Sequence, residues 1–524
     1  MKKYILAILA AALCVVLFLW LKKPVETEPP IETHVTEQTE TTATEEPTEE
    51  PTEAVEVWVP REAPAVRNSI PEAEKQATQE TILQKGTFLF SGKTDEGFYP
   101  ADISWLTAAQ PEDAIALVWA CDDVTHGGWG VLGLSVNGVQ KDIAAISDHP
   151  DRERLTVYSV QELMDLAGVG SPSEIHSASL GAWSSGRIAG IYFLPAEVAA
   201  EMNAHLAVVA ETEQIIHTYD GNLSNENAIE SAKAVYAYLQ EVWQTGCLTG
   251  QMESTWNGSP EYEMNYIQKH TGRLPAIRGL DFMENDFWGV AFRATNWWEK
   301  GGIPHICWHT GSTFSSGYTY CIEDNPDWDE ILTPGTEEYN RLIAGMDRAV
   351  PYLQKLEDAG VPVLWRPFHE LDGGWFWWSK GGSENFVKLW QLMYSRYTDY
   401  WGLDNLIWVL GYSGNGTNLA AWYPGDDYVD LIGADSYTPG ANGHLYKAVA
   451  EIAPEGMPIV YHECGAIPTQ EQMAEADSPW SMFMVWHGES LTDEQYNTKD
   501  SINEIYNSDY FITLDELPDF KNPG

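Results

Sequence analysis

Two His-Glu pairs close two apolar runs: His369-Glu370 ends VPVLWRPFHE, and His462-Glu463 lies near the end of MPIVYHECG. A carboxylate at the end of an apolar run is costly unless it is paired or used. Either glutamate alone is read equally well as the ionic partner of a nearby arginine. Two together, each preceded by His and set among Trp and Tyr, can divide the work of acid and base. One carboxyl donates a proton and the other, ionised, attacks or activates water. A catalytic metal is the rival chemistry. HELDG and HECGA both lack the second histidine of HExxH, and adjacent strand residues point to opposite faces. No metal and no cofactor are expected.

The elements that would position these groups begin near Ala228. From there, strand-like runs alternate with amphipathic helical segments such as SAKAVYAYLQEVWQ and ENFVKLWQLMYSRYTDYW. The strand candidates are CLTGQM, LPAIRGLDF, IPHICWHTG, VPVLWRPFHE, LIWVLGY, VDLIGADSY, MPIVYHECG and SMFMVWHGE. Eight strands with intervening helices in this length predict a (β/α)8 TIM barrel, whose chemistry sits at the C-terminal strand ends. Those ends carry Trp308-His309, His369-Glu370, Asp435-Ser436-Tyr437, His462-Glu463 and Trp486-His487. No GxGxxG or GxxxxGK[ST] follows a strand, which removes the commonest nucleotide-binding alternatives.

The rest of the chain is organised differently. Residues 1–23 open with two lysines and an apolar run from Tyr4 to Leu21, read as an uncleaved transmembrane signal anchor, with a cleaved signal peptide as the alternative. Residues 24–80, rich in Thr, Glu and Pro, are read as a disordered linker. Residues 81–200 hold short strands such as AIALVWACDD and WGVLGLSVNG, with a helical insert VQELMDLAGV, and predict a β-sandwich. In it Trp119 is expected in the core, and Trp129 and Trp183 on an exposed platform. This region resembles the carbohydrate-binding modules of bacterial polysaccharidases. Residues 201–227 are an entry segment and 228–524 the barrel. A net charge of −49 disfavours nucleic acid and anionic headgroups as partners. Aromatic content of 12% suits surfaces that stack on sugar faces. The six cysteines have no zinc-site spacing and are read as free thiols, with Cys307 and Cys321 the one pair that a disulfide could join.

The run WRPFHELDGGWFWW, the distal PIVYHECG and the closing NSDYFITLDELP resemble glycoside hydrolase family 26, most of whose members are endo-β-1,4-mannanases. The resemblance covers about Ala228 to Phe520. It implies a retaining double displacement with Glu370 as acid/base and Glu463 as nucleophile. It also implies that Arg366 holds a carboxylate or sugar hydroxyls, and that His369 flanks the acid/base. Trp375 would form a wall beside the cleaved bond, Tyr437, two residues after Asp435, would orient the nucleophile, Trp486 would stack beneath the sugar, and His309 would bind it. Asp435 is included among the substrate-binding residues. Of Trp377 and Trp378, one is expected to pack inward. An apolar wall would keep Glu370 protonated, while donors around Glu463 would keep it ionised. Leu371-Asp372 stands where many members carry Met-Asn. The implied substrate is β-1,4-mannan, glucomannan or galactomannan. The alternatives are another β-glycan (mixed-linkage β-glucan or xylan) or a non-catalytic surface glycan-binding protein. A monomer at the cell surface, anchored by its N-terminal helix, or secreted if that segment is cleaved, completes the expectation.

Overall fold

The computed structural model describes residues 57–522 except residues 69, 93–96, 122–127, 149–153, 185, 213 and 415–417, and leaves out some side chains flanking these gaps. The expected membrane anchor therefore lies outside the described residues, as does the acidic tract up to residue 56. Among the described residues no helix is long and apolar enough to cross a membrane.

Eight antiparallel strands form two sheets: β1 (Thr87–Gly92), β2 (Gly97–Ala101), β3 (Ala114–Cys121), β4 (Gly128–Val136), β5 (Val139–Asp148), β6 (Arg154–Ser159), β7 (Ile175–Ser184) and β8 (Gly186–Leu194). The sheet orders are β1-β8-β3-β6 and β2-β7-β4-β5. Leu117 and Trp119 of one sheet and Leu132 and Leu180 of the other share a single hydrophobic cluster, so Trp119 is core. The helix Val160–Ala167 joins that cluster, started by a Ser159/Glu162 capping box and ended at left-handed Gly168. The side chains of Trp129 and Trp183 lie outside the described residues. Helices Glu72–Leu83 and Ala196–Thr212 bury Ile82, Leu83, Val198 and Met202 against Ala116 and Val118 of β3. The first helix lies mostly within residues 24–80, read as a disordered linker, and the second mostly within 201–227, read as a linker or entry segment.

The strap Val57–Arg67 also departs from a disordered reading. Tyr339 donates its hydroxyl to the Trp58 carbonyl at 3.1 Å, Arg396 lies 4.8 Å over the Trp58 ring, and Arg61 pairs with Asp399 at 3.3 Å. The Ile216 amide donates to the Val66 carbonyl at 2.8 Å, beside an antiparallel bridge between Arg67 and Ile215. The two-sheet unit is thus a loop of chain whose two ends meet.

The barrel is closed and all parallel, in sequence order: β10 (Gly250–Met252), β11 (Ile277–Asp281), β12 (Ile303–Cys307), β13 (Val363–Arg366), β14 (Leu406–Tyr412), β15 (Leu431–Ser436), β16 (Ile459–Cys464) and β17 (Phe483–Val485). A short β9 (Cys247–Leu248) pairs with β18 (Phe511–Ile512) beside it. Barrel strands are covered on both faces, so they read as continuous apolar runs rather than alternating ones. Every residue of β12, β13, β14 and β16 is buried. Cys247, Cys307, Cys321 and Cys464 are free and buried, so the pair a disulfide could have joined is unbridged.

Candidate active site

Hydrogen-bonded pairing of β13 stops at Arg366, not at His369-Glu370 as the apolar run suggested. Pro367 has no amide hydrogen to continue the ladder. Phe368 and Glu370 then take left-handed conformations, at φ +49° and +51°. Side chains rarely adopt this region, and such strain gathers at functional sites at a cost of about 1 kcal/mol or more per residue. The loop is held from behind: the buried Asp372 carboxylate accepts from the Ser413 amide at 2.6 Å and from its hydroxyl at 3.1 Å. Gly374 turns the chain at φ +79°, and a Cβ on Gly373 would lie 2.5 Å from the Trp375 ring. The two glycines therefore let that ring return over the loop, where its N–H donates to Glu370 Oε2 at 2.7 Å. Trp377 and Trp378 are both fully buried, contrary to the expectation of one. Their indole N–H groups donate to the carbonyls of Thr310 and His369, both at 2.8 Å.

Glu463 reaches the same place from β16. Against both β15 and β17 the register of β16 shifts by one residue at this point: Ala434 faces Tyr461 while Asp435 faces Glu463, and Tyr461 faces Phe483 while Cys464 faces Val485. An extra residue of this kind re-aims a side chain. Strand alternation therefore cannot be applied to either His-Glu pair. Arg366 Nη2 donates to Glu463 Oε2 at 2.7 Å, and the Tyr437 hydroxyl donates to Oε1 at 2.6 Å. Arg366 is 0% exposed and lines neither cavity of the cleft. It holds the carboxylate, and the sugar-hydroxyl role proposed for it falls away. Burial raises the Glu463 carboxyl, Arg366 counters this, and the Glu370 charge adds to it. The net direction is upward, against the expectation from its donors alone.

Asp435 is the third carboxyl. Oxygens of Glu370, Asp435 and Glu463 all lie within 4.8 Å of one another. Burial first, then the hydrogen bond and charge of Glu370, push Asp435 well above the usual carboxylate range. Its Oδ2 is buried with no donor facing it among the described residues. That position suits a protonated oxygen, and burial beside Glu370 favours the neutral Asp435 carboxyl. It is 4% exposed and lines the smaller cavity.

His309 and His369 form a second chain. Asp281 Oδ2 takes His309 Nδ1 at 2.5 Å, and His309 Nε2 meets His369 Nε2 at 3.0 Å. Burial opposes charge on His309, but the Asp281 carboxylate outweighs it and raises the imidazole above its ordinary value. Burial, then Arg366 and the neighbouring histidines, keep His369 neutral. While His309 is charged, its Nε2–H donates to His369. Asp281 was not among the candidates, although it ends LPAIRGLD and strand-end logic would have found it. Asp281, Cys307 and His309 also hold donor atoms close enough to contact one cation, as do the three carboxylates. Burial keeps the Cys307 thiol protonated, a poor ligand state.

The Asp281–His309 pair has a testable signature. Asp281 is held below its ordinary value despite burial, by the His309 charge, so its contribution is lost as pH falls through that lowered value. His309 is raised, so its contribution is present below its unfolded value and lost as pH rises through the folded one. Both hold between about pH 4 and pH 6.5. Thermal unfolding of Asp281→Asn should therefore fall furthest below the parent in that window, with the gap narrowing above it. A gap constant to pH 9 would mean that His309 is not charged by Asp281.

The groups open onto a cleft. One cavity of about 920 Å³ is lined by Glu370, Glu463, Trp375, Trp486 and His309, and extends past Trp256 and Arg293. A second, of about 430 Å³, lies beyond Glu370 and Tyr437 and is lined by Ser413, Asp435 and His444.

A closed parallel barrel with two opposed glutamates at the C-terminal mouth of an aromatic cleft defines the class: a barrel of the glycoside hydrolase type. The family described as glycosyl hydrolase family 26 matches residues 224–516, and the chain belongs to that family. It is 31% identical over 325 residues to a mannan endo-1,4-beta-mannosidase of Thermothelomyces thermophilus, covering 57% of this chain and 64% of the relative. The chain spans about half to two thirds of the length of the first curated relatives it matches. Among solved structures, it resembles a beta-mannanase from a symbiotic protist of the termite Reticulitermes speratus, complexed with gluco-manno-oligosaccharide. Identity there is 29% and TM-score 0.53, over 58% of this chain and 99% of that one. In fold it also resembles the Podospora anserina GH26-CBM35 β-(1,4)-mannanase, at 24% identity and TM-score 0.53, over 84% of this chain and 98% of that one.

Proposed function

We propose that the chain is an endo-acting, retaining β-1,4-mannanase in which Glu370 is the acid/base and Glu463 the nucleophile. The carrying observation is that one oxygen of each carboxyl lies within 4.8 Å of one oxygen of the other, so the two groups sit close together. Retaining enzymes place the two carboxyl groups about 5 Å apart, whereas inverting enzymes leave about 6.5–9.5 Å for a water. Glu370 donates its proton to the glycosidic oxygen as Glu463 attacks the anomeric carbon, and the leaving chain departs. Water, deprotonated by Glu370, then breaks the glycosyl–Glu463 bond. Tyr437 and Arg366 hold both oxygens of Glu463 and aim it. Trp375 fixes Glu370. His309, His369 and Trp486 surround the sugar at the cleaved bond. A cleft continuing on both sides of the carboxylates suits attack within a chain.

Mannan as substrate is supported by the printed activities of the relatives. The two-sheet unit is read as a β-sandwich of carbohydrate-binding-module type, supported by its shared core and by the fold likeness to a GH26-CBM35 protein. The apolar run Tyr4–Leu21 supports export and surface anchoring. The test is reducing-end release by the full chain from galactomannan, glucomannan and mixed-linkage β-glucan, with the first-formed anomer read by NMR. Hydrolysis of both mannans with a β-configured first product is expected. Hydrolysis of β-glucan alone would reject the sugar assignment, and an α-configured product the mechanism.

A further inference from the structure

The two arms of the cleft differ in what they face. Glu463 and Trp486 line the larger arm and not the smaller, whereas Glu370 and Tyr437 line both. The attacking carboxylate must face the sugar whose anomeric carbon it takes, and the leaving chain lies beyond the acid. The larger arm therefore holds the glycone. Along it runs a line of rings: His309 to Trp486 at 6.0 Å, Trp486 to His487 at 4.8 Å, and His487 edge-on to Trp256 at 4.6 Å and 86°. The line ends at Trp256, which is 55% exposed.

A single exposed Trp is ordinary on a protein surface. This one lines the cleft, and its loop is built to stay still. The buried Glu263 carboxylate accepts from the Ser254 amide at 3.0 Å and from the Ser254 hydroxyl on the loop that carries Trp256. The same carboxylate accepts from the Gly488 amide at 3.0 Å, on the loop that carries Trp486 and His487. At the root of the Trp256 loop, buried Glu253 pairs with Arg278 and Arg293, both at 2.6 Å. One carboxylate thus locks the two ring-bearing loops together. A flat ring held in advance loses little freedom on binding, and polar groups at Glu284 and Arg293 line the same arm for hydroxyls.

We propose that Trp256, braced by His487, is the stacking platform of a distal glycone subsite and sets the chain length that the enzyme cleaves well. The proposal deepens the reading of the chain as a β-mannan hydrolase and rests on it. The ligand is a β-linked oligosaccharide long enough to pass Trp486 and reach the outer ring. The experiment compares mannotriose with mannohexaose on the full chain, parent against Trp256→Ala and Trp256→Phe. The ratio of kcat/KM for hexaose over triose should fall about tenfold in Trp256→Ala, mainly through KM, and return in Trp256→Phe. The dominant cut in hexaose should move towards the end that the lost subsite held. An unchanged ratio, or an equal loss on both lengths, would overturn it. If the parent cleaves another β-glycan and no mannan, the substrate reading fails. The same ratio measured with that glycan's oligomers then decides the platform. If it cleaves none, calorimetry of hexaose binding decides, and equal affinity for parent and Trp256→Ala overturns the proposal.

Discussion

Glu463→Ala should lower mannan hydrolysis by about 10⁴-fold or more, as expected when the group that forms the covalent intermediate is removed. The loss should not be confined to chemistry. Glu463 is 4% exposed and is the partner of the fully buried Arg366. Removing one partner of a buried pair leaves an uncompensated charge and costs about 3–5 kcal/mol. The alanine variant should therefore also unfold more easily, and a drop in activity alone would be ambiguous. Glu463→Gln separates the two effects. Its amide oxygen can still accept from Arg366, so part of the stability should return although the guanidinium charge stays uncompensated, but an amide is no nucleophile and activity should stay at the alanine level. Azide gives a sharper reading. With an activated aryl β-mannoside, azide entering the space left in Glu463→Ala should yield the α-mannosyl azide, by a single displacement. Substantial activity in Glu463→Gln, or a β-azide from Glu463→Ala, would assign the nucleophile elsewhere.

What the sequence showed of this site follows from how each residue signals its place. Barrel strands covered on both faces leave long apolar runs, so all eight could be counted before any fold was known. Glutamates ending two of those runs stand out because a carboxylate there needs a reason. Register does not leave such a trace. The extra residue in β16 is invisible in PIVYHECG, because a bulge is a relation between three strands and not a property of one. The end of β13 was misplaced for a similar reason: apolar composition continues through Phe368 after hydrogen bonding has stopped at Arg366. The raised carboxyl of Asp435 comes from burial and from distant carboxylates brought within reach, which no local pattern encodes. Asp281 is different, since it ends a strand that had already been recognised. The strap Val57–Arg67 was absorbed into an acidic tract by averaging, although Trp58 and Arg61 depart from that composition. Those are the residues that meet Arg396 and Asp399.

The acid/base should fail differently when Glu370→Ala is made. Protonating the leaving oxygen contributes about 10²–10⁴-fold when the leaving group is a sugar alcohol, so mannan turnover should fall about 10³-fold. A dinitrophenyl leaving group needs no proton, and formation of the glycosyl enzyme from it should be nearly spared. Turnover of that substrate should then be limited by the second step, where no base remains to activate water. Azide, which needs no base, should accelerate it and give the β-mannosyl azide, the opposite anomer from the nucleophile variant. The same variants separate Glu370 from Asp435 as the acid. Burial beside Glu370 favours the neutral Asp435 carboxyl, while the Trp375 indole donates to Glu370 Oε2. If Asp435 served as the acid itself, Glu370→Ala would keep its mannan activity and Asp435→Asn would show the azide rescue instead. The roles are thus assigned by which variant loses the natural substrate yet keeps the activated one. Glu370 reaches the cleft from the strained loop beyond β13, half-buried and lining both arms, and is placed to touch the leaving oxygen.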